Sequence, residues 1–253
     1  MRQDVRFGQI LQRLNESGSV GVAELAGQLG VSEASVRRDL RRLEQQNLLT
    51  RTHGGAAASG VLYELPMRYR GGQHHEAKRA IAAAAVALVT SETTSVGLNG
   101  GTTTTEVARA LTGHPGLRVV TNALNIASEL AVRSTIELVV CGGSARPESY
   151  ELVGPLAEGA LATLNLDLVL VGVDGISVDE GFTTHHEVEA HTNHALIDRA
   201  RRVVVVADSS KLGQVAFARI CGLDDVDELI TDSDAAADEV EAVRAAGLEV
   251  TLV

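Results

Sequence analysis

Hydrophobic positions near the N-terminus recur with the spacing of amphipathic helices. Residues 4–16 place apolar side chains on one helical face, and the pattern stops at a Ser-Gly pair. Residues 20–30 repeat the spacing and also end at a glycine. A third helix is predicted from Ser32, whose hydroxyl can cap the free N–H groups of a first turn. The buried stripe of this third helix consists of Val36, Leu40 and Leu43.

The third helix and the segment after it hold most of the positive charge of this region. Residues 48–55 alternate and end at two glycines, which indicates a small β-wing bearing Arg51 and His53. Two helices joined by a tight turn and followed by a wing are typical of a winged helix-turn-helix, whose positive side chains meet DNA phosphates. The alternative is a solvated helix face, in which Asp39 and Glu44 pair with the arginines. The polar face of the helix consists of Ser35, Arg37, Arg38, Arg41 and Arg42.

The distribution of charge separates this segment from the rest of the chain. Residues 1–55 contain eight Arg and six acidic residues, although the whole chain has a net charge of −11. A strongly acidic chain by itself argues against nucleic acid as a partner, so the local excess of arginine is the informative feature. We therefore predict a DNA-binding domain over residues 1–56, with double-stranded DNA as its partner.

From residue 76 onward, continuous Val- and Leu-rich runs alternate with helical patterns, which predicts a mostly parallel sheet covered on both faces. The fold class is therefore α/β, with an α/β domain over residues 76–253. Residues 57–75 have no sustained periodicity and are predicted to be a linker, with a short strand at 61–64. The predicted strands lie at 95–100, 117–121, 136–143, 166–175, 201–210, 227–232 and 248–253. The predicted helices lie at 76–89, 106–111, 122–132, 155–164, 188–201 and 235–246.

Polar and glycine-containing turns follow five of the predicted strands. Ligands of open α/β sheets bind beyond the carboxyl ends of the strands, so these turns are the candidate small-molecule site. The turn at 99–101 leads into a helix N-terminus, which favours an anion such as a phosphate. Lys211 is one of only two lysines in the chain, and its ammonium beyond a strand end can reach a phosphate or a sugar hydroxyl. The predicted effector-binding residues are Asn99, Gly100, Gly101, Thr102, Thr103, Thr104, Thr121, Asn122, Gly143, Arg146, Asp174, Gly175, Glu187 and Lys211.

The N-terminal segment "RFGQILQRL…SEASVRRDLRRLEQQNLLTRTHGGA" resembles the winged helix-turn-helix of the DeoR family of sugar-metabolism regulators. Later blocks, among them "VGVDGISVDEGFTTHHEVEA" and "ARRVVVVADSSKLG", resemble successive parts of the effector domain of that family. The resemblance implies a C-terminal fold similar to ribose-5-phosphate isomerase and an effector that is a phosphorylated sugar or a related metabolite. The DNA-binding residues it implies are Ser32, Ser35, Arg37, Arg38 and Arg41 on the recognition helix, with Arg51 and His53 on the wing.

Two positions of the effector domain depart from the family pattern. The usual loop "DSGTTT" reads "NGGTTT" here, so Asn99 and Gly100 replace an acid and a serine. This replacement lowers the negative charge beside a bound phosphate and bears on which sugar hydroxyls are recognised. In the DNA-binding segment, Ser35 stands where the family usually has Thr, which retains the hydroxyl.

These features predict a transcription factor, and specifically a repressor of a sugar-metabolism operon that responds to a phosphorylated sugar. A homodimer or homotetramer is expected because two recognition helices about 34 Å apart are needed to meet successive major grooves. No stretch contains the roughly 18 consecutive apolar residues that a membrane span needs. The N-terminus lacks the apolar core of a signal peptide. A cytoplasmic protein without membrane contact is therefore expected. No catalytic residue, cofactor or metal is predicted.

Two alternatives belong to other classes of protein. The isomerases that the effector domain resembles have "DGADE" where this chain has "VGVDG"; Asp174 matches one acid, whereas Val171 and Gly175 replace the other two, which disfavours catalysis. A metal-dependent regulator would use the segment "HHEVEAHTNH", but on a helix only some of its ligand-type side chains share a face. Those side chains are His185, His186, Glu187, Glu189, His191 and His194.

Overall fold

The structure, a computed structural model, describes residues 3–58, 66–70 and 74–253. These residues form two compact units that divide between Gln73 and His74. The sequence places the start of the effector domain at residue 76. The strand predicted at 61–64 lies outside the described residues.

The N-terminal unit contains the three helices and the wing predicted from the sequence, which confirms a winged helix-turn-helix. A further strand joins the wing, and the three strands form an antiparallel sheet in the order β1-β3-β2. Within the described residues of this unit, the elements are α1 (Gln3–Ser17), β1 (Ser19–Gly21), α2 (Val22–Leu29), α3 (Glu33–Gln45), β2 (Thr50–Thr52), β3 (Gly55–Ala57) and α4 (Met67–Arg70).

The turn between α2 and α3 fixes the recognition helix. Gly30 ends α2 in the left-handed region at φ 63°, a conformation that glycine adopts without a Cβ penalty. Ser32 then caps α3, because its hydroxyl accepts a hydrogen bond from the backbone N–H of Ser35 at 3.3 Å. The hydrophobic core of the unit includes Ile10, Leu25 and Leu40, all at most 1% exposed. The apolar residues that recur with helical spacing in the sequence are therefore the residues buried in this core.

The segment predicted to be a linker includes the short helix α4, which packs on α1. Tyr69 of α4 is buried, and its ring centroid lies 5.8 Å from that of Phe7. A Cβ atom on residue 8 would lie 2.2 Å from the carbonyl oxygen of Tyr69, so Gly8 allows the two helices to approach closely. No periodicity is visible in this segment because a helix of four residues is too short to display one.

The C-terminal unit is built on a seven-stranded sheet in which every neighbouring pair is parallel. Its helices are α5 (His75–Ala87), α6 (Thr102–Leu111), α7 (Leu124–Leu130), α8 (Pro155–Leu161), α9 (Glu187–Ile197) and α10 (Ala237–Ala245). Its strands are β4 (Ser95–Leu98), β5 (Arg118–Thr121), β6 (Glu137–Val140), β7 (Ser144–Ala145), β8 (Leu152–Val153), β9 (Leu168–Val171), β10 (Gly175–Ser177), β11 (Gly181–Thr184), β12 (Val203–Val206), β13 (Ala218–Cys221), β14 (Glu228–Thr231) and β15 (Glu249–Leu252). The strand order of the large sheet is β15-β14-β12-β9-β4-β5-β6.

Both faces of this sheet are buried, as the continuous apolar runs predict. Alternate residues of one strand enter opposite cores: Val204 and Val206 contribute to one cluster, whereas Val203 and Val205 contribute to the other. A mostly parallel α/β domain is therefore confirmed. Among the described helices of the chain, none is long and apolar enough to cross a membrane.

Two small antiparallel elements were not predicted. Strands β7 and β8 form a hairpin, and β10, β11 and β13 form a separate sheet in the order β10-β11-β13. The hairpin follows the edge strand β6, and β10 begins four residues after β9 ends. Both elements therefore follow strands of the large sheet at its carboxyl edge.

Candidate functional sites

The polar face of α3 is open to solvent. Arg37, Arg38, Arg41 and Arg42 are all exposed, while Ser35 is half-buried near the start of the helix. Arg37 pairs with Glu33 at 2.8 Å, but both side chains are about half exposed, at 56% and 49%. An ion pair of this kind contributes little to stability, so Arg37 can exchange it for a phosphate at small cost.

Asp39 belongs to the structure of the unit and not to the arginine face. It is 1% exposed and accepts hydrogen bonds from the Nε atom of Arg6 at 2.5 Å and from Nε2 of Gln3 at 3.1 Å. These contacts tie α1 to α3. The alternative in which Asp39 neutralises the recognition arginines is therefore not what the structure shows.

The wing presents its own positive side chains. Arg51 is exposed on β2, and its backbone N–H donates to Oε1 of Glu44 at 3.2 Å, which ties the wing to the end of α3. His53 is exposed in the turn between β2 and β3. In β3 of the wing, a Cβ atom on residue 55 would lie 2.0 Å from the carbonyl oxygen of Val20, so Gly55 is required where β3 pairs with β1. The predicted recognition helix and the wing thus each expose basic side chains in the N-terminal unit.

The large sheet of the C-terminal unit reverses its strand order between β4 and β9. The chain runs from β4 to β5 and β6 on one side, and then returns to β9 on the other side before continuing to β12, β14 and β15. Such a reversal opens a crevice at the carboxyl ends of the strands, where open α/β sheets bind ligands. Loop 99–101 after β4 and loop 172–174 after β9 border this crevice. Both loops belong to the predicted effector site.

Asn99 joins these two loops. Its Nδ2 atom donates to the carbonyl oxygen of Gly172 at 2.9 Å, and its Oδ1 atom accepts from the N–H of Gly172 at 2.8 Å. The side chain is only 1% exposed. Asn99 therefore holds β4 and β9 together at the reversal point, and its amide is engaged with the backbone.

The helix α6 begins at the same place. Its N-cap residue is Gly101, which has no side chain to cap the first turn. The first N–H groups of a helix have no intrahelical partner and attract anions. Thr104 and Thr105 turn their hydroxyls back to the carbonyl oxygen of Gly101, whereas Thr102 is half-buried. The predicted anion-binding turn thus lies directly at the crevice.

The carboxyl of Glu151 lies against this loop, although Glu151 is not among the residues predicted from the sequence. The backbone N–H of Gly100 donates to Oε1 of Glu151 at 2.5 Å, and the side chain has no exposed surface. Burial and the charges of Glu189 and Asp174 raise the pKa of Glu151 well above its usual range, while the bond from Gly100 and the charge of Arg146 oppose this rise. Burial and the two neighbouring acids therefore favour the neutral form of this carboxyl.

Arg146 and Glu189 form an ion pair close to Glu151. The Nη1 atom of Arg146 lies 2.9 Å from Oε2 of Glu189, and the two side chains are 13% and 7% exposed. Thr184 at the end of β11 donates to Asp174 at 3.1 Å or to Glu189 at 3.3 Å. The structure thus brings the predicted residues Arg146 and Asp174 together with Glu189. Glu187, which the sequence analysis selected instead, is exposed at the start of α9.

The other lysine of the chain, Lys78, is also at the carboxyl edge. Its Nζ atom lies 3.5 Å from Oδ2 of Asp208, and both side chains are almost completely buried. Burial by itself raises the pKa of Asp208, but the charge of Lys78 and the hydrogen bond from Ser210 outweigh it and hold that pKa below its ordinary value. Lys211 ends the turn that Asp208 begins and is half-buried.

The remaining predicted residues make close backbone contacts. Thr121 accepts from the N–H of Ala123 at 3.1 Å, and Asn122 donates to the carbonyl oxygen of Leu152 on β8 at 3.2 Å. A Cβ atom on residue 143 would lie 2.8 Å from the nitrogen of Val153, so Gly143 lets the hairpin fold back on itself. Gly175 is constrained in the same way, since a Cβ there would lie 2.5 Å from the carbonyl oxygen of Gln214.

The histidine-rich segment does not converge on one point. His186 caps α9 by accepting from the N–H of Val188 at 3.3 Å, and His194 lies 3.8 Å from Asp198. Among the described residues, no three His, Cys, Asp or Glu side chains are placed to hold a metal ion.

Comparison with known proteins covers both units. Residues 73–233 match the DeoR C terminal sensor domain, and residues 6–59 match the DeoR-like helix-turn-helix domain. A putative aga operon transcriptional repressor of Escherichia coli O157:H7 is 36% identical over 251 residues, covering 98% of this chain and 93% of that protein. The glycerol-3-phosphate regulon repressor of Escherichia coli (strain K12) is 32% identical over 233 residues and 92% of each protein. Among solved structures, ribose 5-phosphate isomerase A from Methanocaldococcus jannaschii matches with a TM-score of 0.41 and 19% identity over 55% of each chain.

The two family matches and the relatives of 32% and 36% identity define the protein as a DNA-binding transcriptional regulator with a sensor domain. The chain belongs to the DeoR family. The family resemblance seen in the sequence is therefore confirmed.

Proposed function

We propose that the protein represses an operon of sugar or polyol phosphate metabolism. We further propose that a phosphorylated sugar or sugar derivative binds in the C-terminal unit and changes the affinity of the protein for operator DNA. In this proposal α3 enters the major groove and the wing contacts the flanking phosphates. A homodimer or homotetramer presents two such surfaces to the two halves of an operator. The protein is a regulator and not an enzyme.

The main support for the effector is the reversal point of the large sheet. The crevice between β4 and β9 is bordered by the first turn of α6, whose N-cap residue Gly101 has no side chain. A phosphate placed there meets free N–H groups and the positive end of the helix. Lys211 supplies a positive charge at the end of the neighbouring strand β12. The names of the two relatives, which refer to an aga operon and to glycerol 3-phosphate, agree with an effector of this class.

The proposed DNA binding is supported by the arrangement of charged side chains in the N-terminal unit. The carboxylate of Asp39 is bonded to Arg6, and the arginines on the outer face of α3 are exposed. Because DNA binding releases counterions from phosphates, this surface gives affinity that falls with salt. An effector changes that affinity only if it binds the DNA-competent and the incompetent states unequally.

A test uses the full-length protein in two stages. DNA sites are first selected from a random double-stranded library, and binding to the best site is then followed by fluorescence anisotropy. Hexose 6-phosphates, ketose 1-phosphates and glycerol 3-phosphate are added, with their unphosphorylated parents and inorganic phosphate as controls. We expect one phosphorylated compound to change the affinity at least about fivefold. Failure to select any DNA site would contradict the regulator, and a site that no phosphorylated compound affects would contradict the effector class.

A further inference from the structure

The carboxyl of Glu151 fills the space left by the missing side chain of residue 100. A Cβ atom on residue 100 would lie 2.5 Å from Cγ of Glu151, so the buried glutamate can occupy this position only next to a glycine. Asn99 contributes no free polar group, because its amide is bonded to Gly172 on both sides. Glu151, which lies between β7 and β8, places its carboxyl against this loop.

The two oxygens of this carboxyl have different surroundings. Oε1 accepts the N–H of Gly100, and therefore acts as the acceptor oxygen of the group. Oε2 is buried and has no hydrogen-bond partner among the described residues. In a neutral carboxyl with this geometry the proton lies on Oε2. A buried donor without an acceptor is costly, and a ligand that supplies an acceptor removes that cost.

We propose that Glu151 determines which phosphorylated compound binds, because its Oε2–H donates a hydrogen bond to a hydroxyl or carbonyl oxygen of the effector. This inference rests on the proposed function and identifies the effector as a phosphate ester with a neutral oxygen near the phosphate. An ammonium group at the same position has no lone pair and cannot accept this bond.

The surroundings of Glu151 favour its neutral form and cover it from solvent. Glu189 on α9 and Asp174 after β9 act against its ionisation, whereas Arg146 between β7 and β8 favours it. Since Glu151 has no exposed surface, the effector reaches Oε2 only when a neighbouring side chain moves. Arg146 is 13% exposed and is the more exposed partner of its ion pair with Glu189.

The test measures effector affinity by isothermal titration of the full-length protein with the phosphorylated compound that most stabilises the wild type in a thermal-shift panel. Glu151→Gln is the matched variant, because its amide retains a neutral acceptor and donor at the two positions. Glu151→Ala removes both. We expect Glu151→Gln to bind within about threefold of the wild type and Glu151→Ala to bind at least about tenfold more weakly. Inorganic phosphate, which does not reach Oε2, should bind all three proteins equally.

The pH dependence separates recognition from a structural role. Wild-type affinity should fall as the pH rises through the pKa of Glu151, while the Gln variant shows only the titration of the ligand itself; this comparison holds even if the Ala variant does not fold. Equal affinity of all three proteins, or parallel pH profiles of the wild type and Glu151→Gln, would overturn the role of Glu151 and leave the effector class intact. Tighter binding of an amino analogue that depends on the glutamate would also overturn it. If no phosphorylated compound stabilises the wild type, the effector class and the role of Glu151 are both wrong.

Discussion

The ammonium of Lys78 lies 3.5 Å from the carboxylate of Asp208, and neither side chain is more than 6% exposed. This pair ties α5, the first helix of the C-terminal unit, to the turn after β12 that ends in Lys211. The two lysines of the chain therefore lie at the same sheet edge, one buried in an ion pair and one half-buried. The first holds the turn in place, and the second is the candidate effector contact.

Lys78→Met should strongly destabilise the C-terminal unit. Removing one partner of a buried pair leaves an uncompensated charge and costs about 3 kcal/mol or more. Urea denaturation followed by circular dichroism measures the loss, with Lys211→Met as the control for removal of one lysine. The control should lose less than about 1 kcal/mol. Equal losses in the two variants would contradict the structural role of the pair.

The carboxylate of Asp167 predicts an acid-sensitive contribution to stability. It accepts hydrogen bonds from the hydroxyl of Thr94 at 2.7 Å and from the N–H and hydroxyl of Ser95 at 3.1 and 3.0 Å. These bonds, that from the Thr94 hydroxyl above all, lower the pKa of Asp167 to about 2, although burial acts in the other direction. The ordinary value is about 3.9, so the stabilisation is complete above about pH 4 and is lost as the pH falls towards 2.

The measurement is the difference in unfolding free energy between the wild type and Asp167→Asn from pH 6 to pH 2. The difference should favour the wild type at pH 6 and shrink below pH 4. Asp179→Asn, at an exposed turn position between β10 and β11, controls for the loss of one negative charge. A difference that stays constant over this range would refute the assignment.

The large sheet could be predicted from the sequence because its strands coincide with short, continuous apolar runs. Runs such as Val203–Val206 are apolar at every position, and each is followed by a polar turn. The small sheet had no such pattern, since its strands β10, β11 and β13 read GIS, GFTT and ARIC and contain no long apolar run. Its strands contain glycines, among them Gly175 and Gly181, which weaken a strand pattern in the sequence.

The candidate site was predicted only in outline. The turns after each strand could be found because the carboxyl ends of parallel strands share one edge. Glu151 was missed because nothing next to it in sequence indicates burial; its environment is created when the β7–β8 hairpin folds over Gly100. Lys78 was not selected either, because its partner Asp208 is 130 residues away in the sequence.

Gly100→Ala should destabilise the C-terminal unit, because the new methyl group overlaps Cγ of Glu151. Overpacking of this kind costs about 1–3 kcal/mol. Gly142→Ala is the matched control, since a Cβ there has nothing within 4 Å. Thermal melting of the full-length protein should show a lower midpoint for the first variant only. Adding Glu151→Ala to Gly100→Ala should recover part of the loss, and failure to do so would show that the two side chains do not compete for one space.

The exposed face of α3 leads to a prediction about salt dependence. Arg38 and Arg41 are exposed on α3 beside its buried stripe, whereas Arg6 is hydrogen-bonded to Asp39. Each arginine that neutralises a phosphate releases a counterion, so Arg38→Ala and Arg41→Ala should each weaken binding to double-stranded DNA and reduce the slope of log K against log salt by about 1. Arg133→Ala, an exposed position in the C-terminal unit, is the control for loss of one positive charge and should leave the slope unchanged. Fluorescence anisotropy at several salt concentrations gives the slopes. If the α3 variants keep the wild-type slope, or if Arg133→Ala reduces it equally, the DNA-binding surface is not the face of α3.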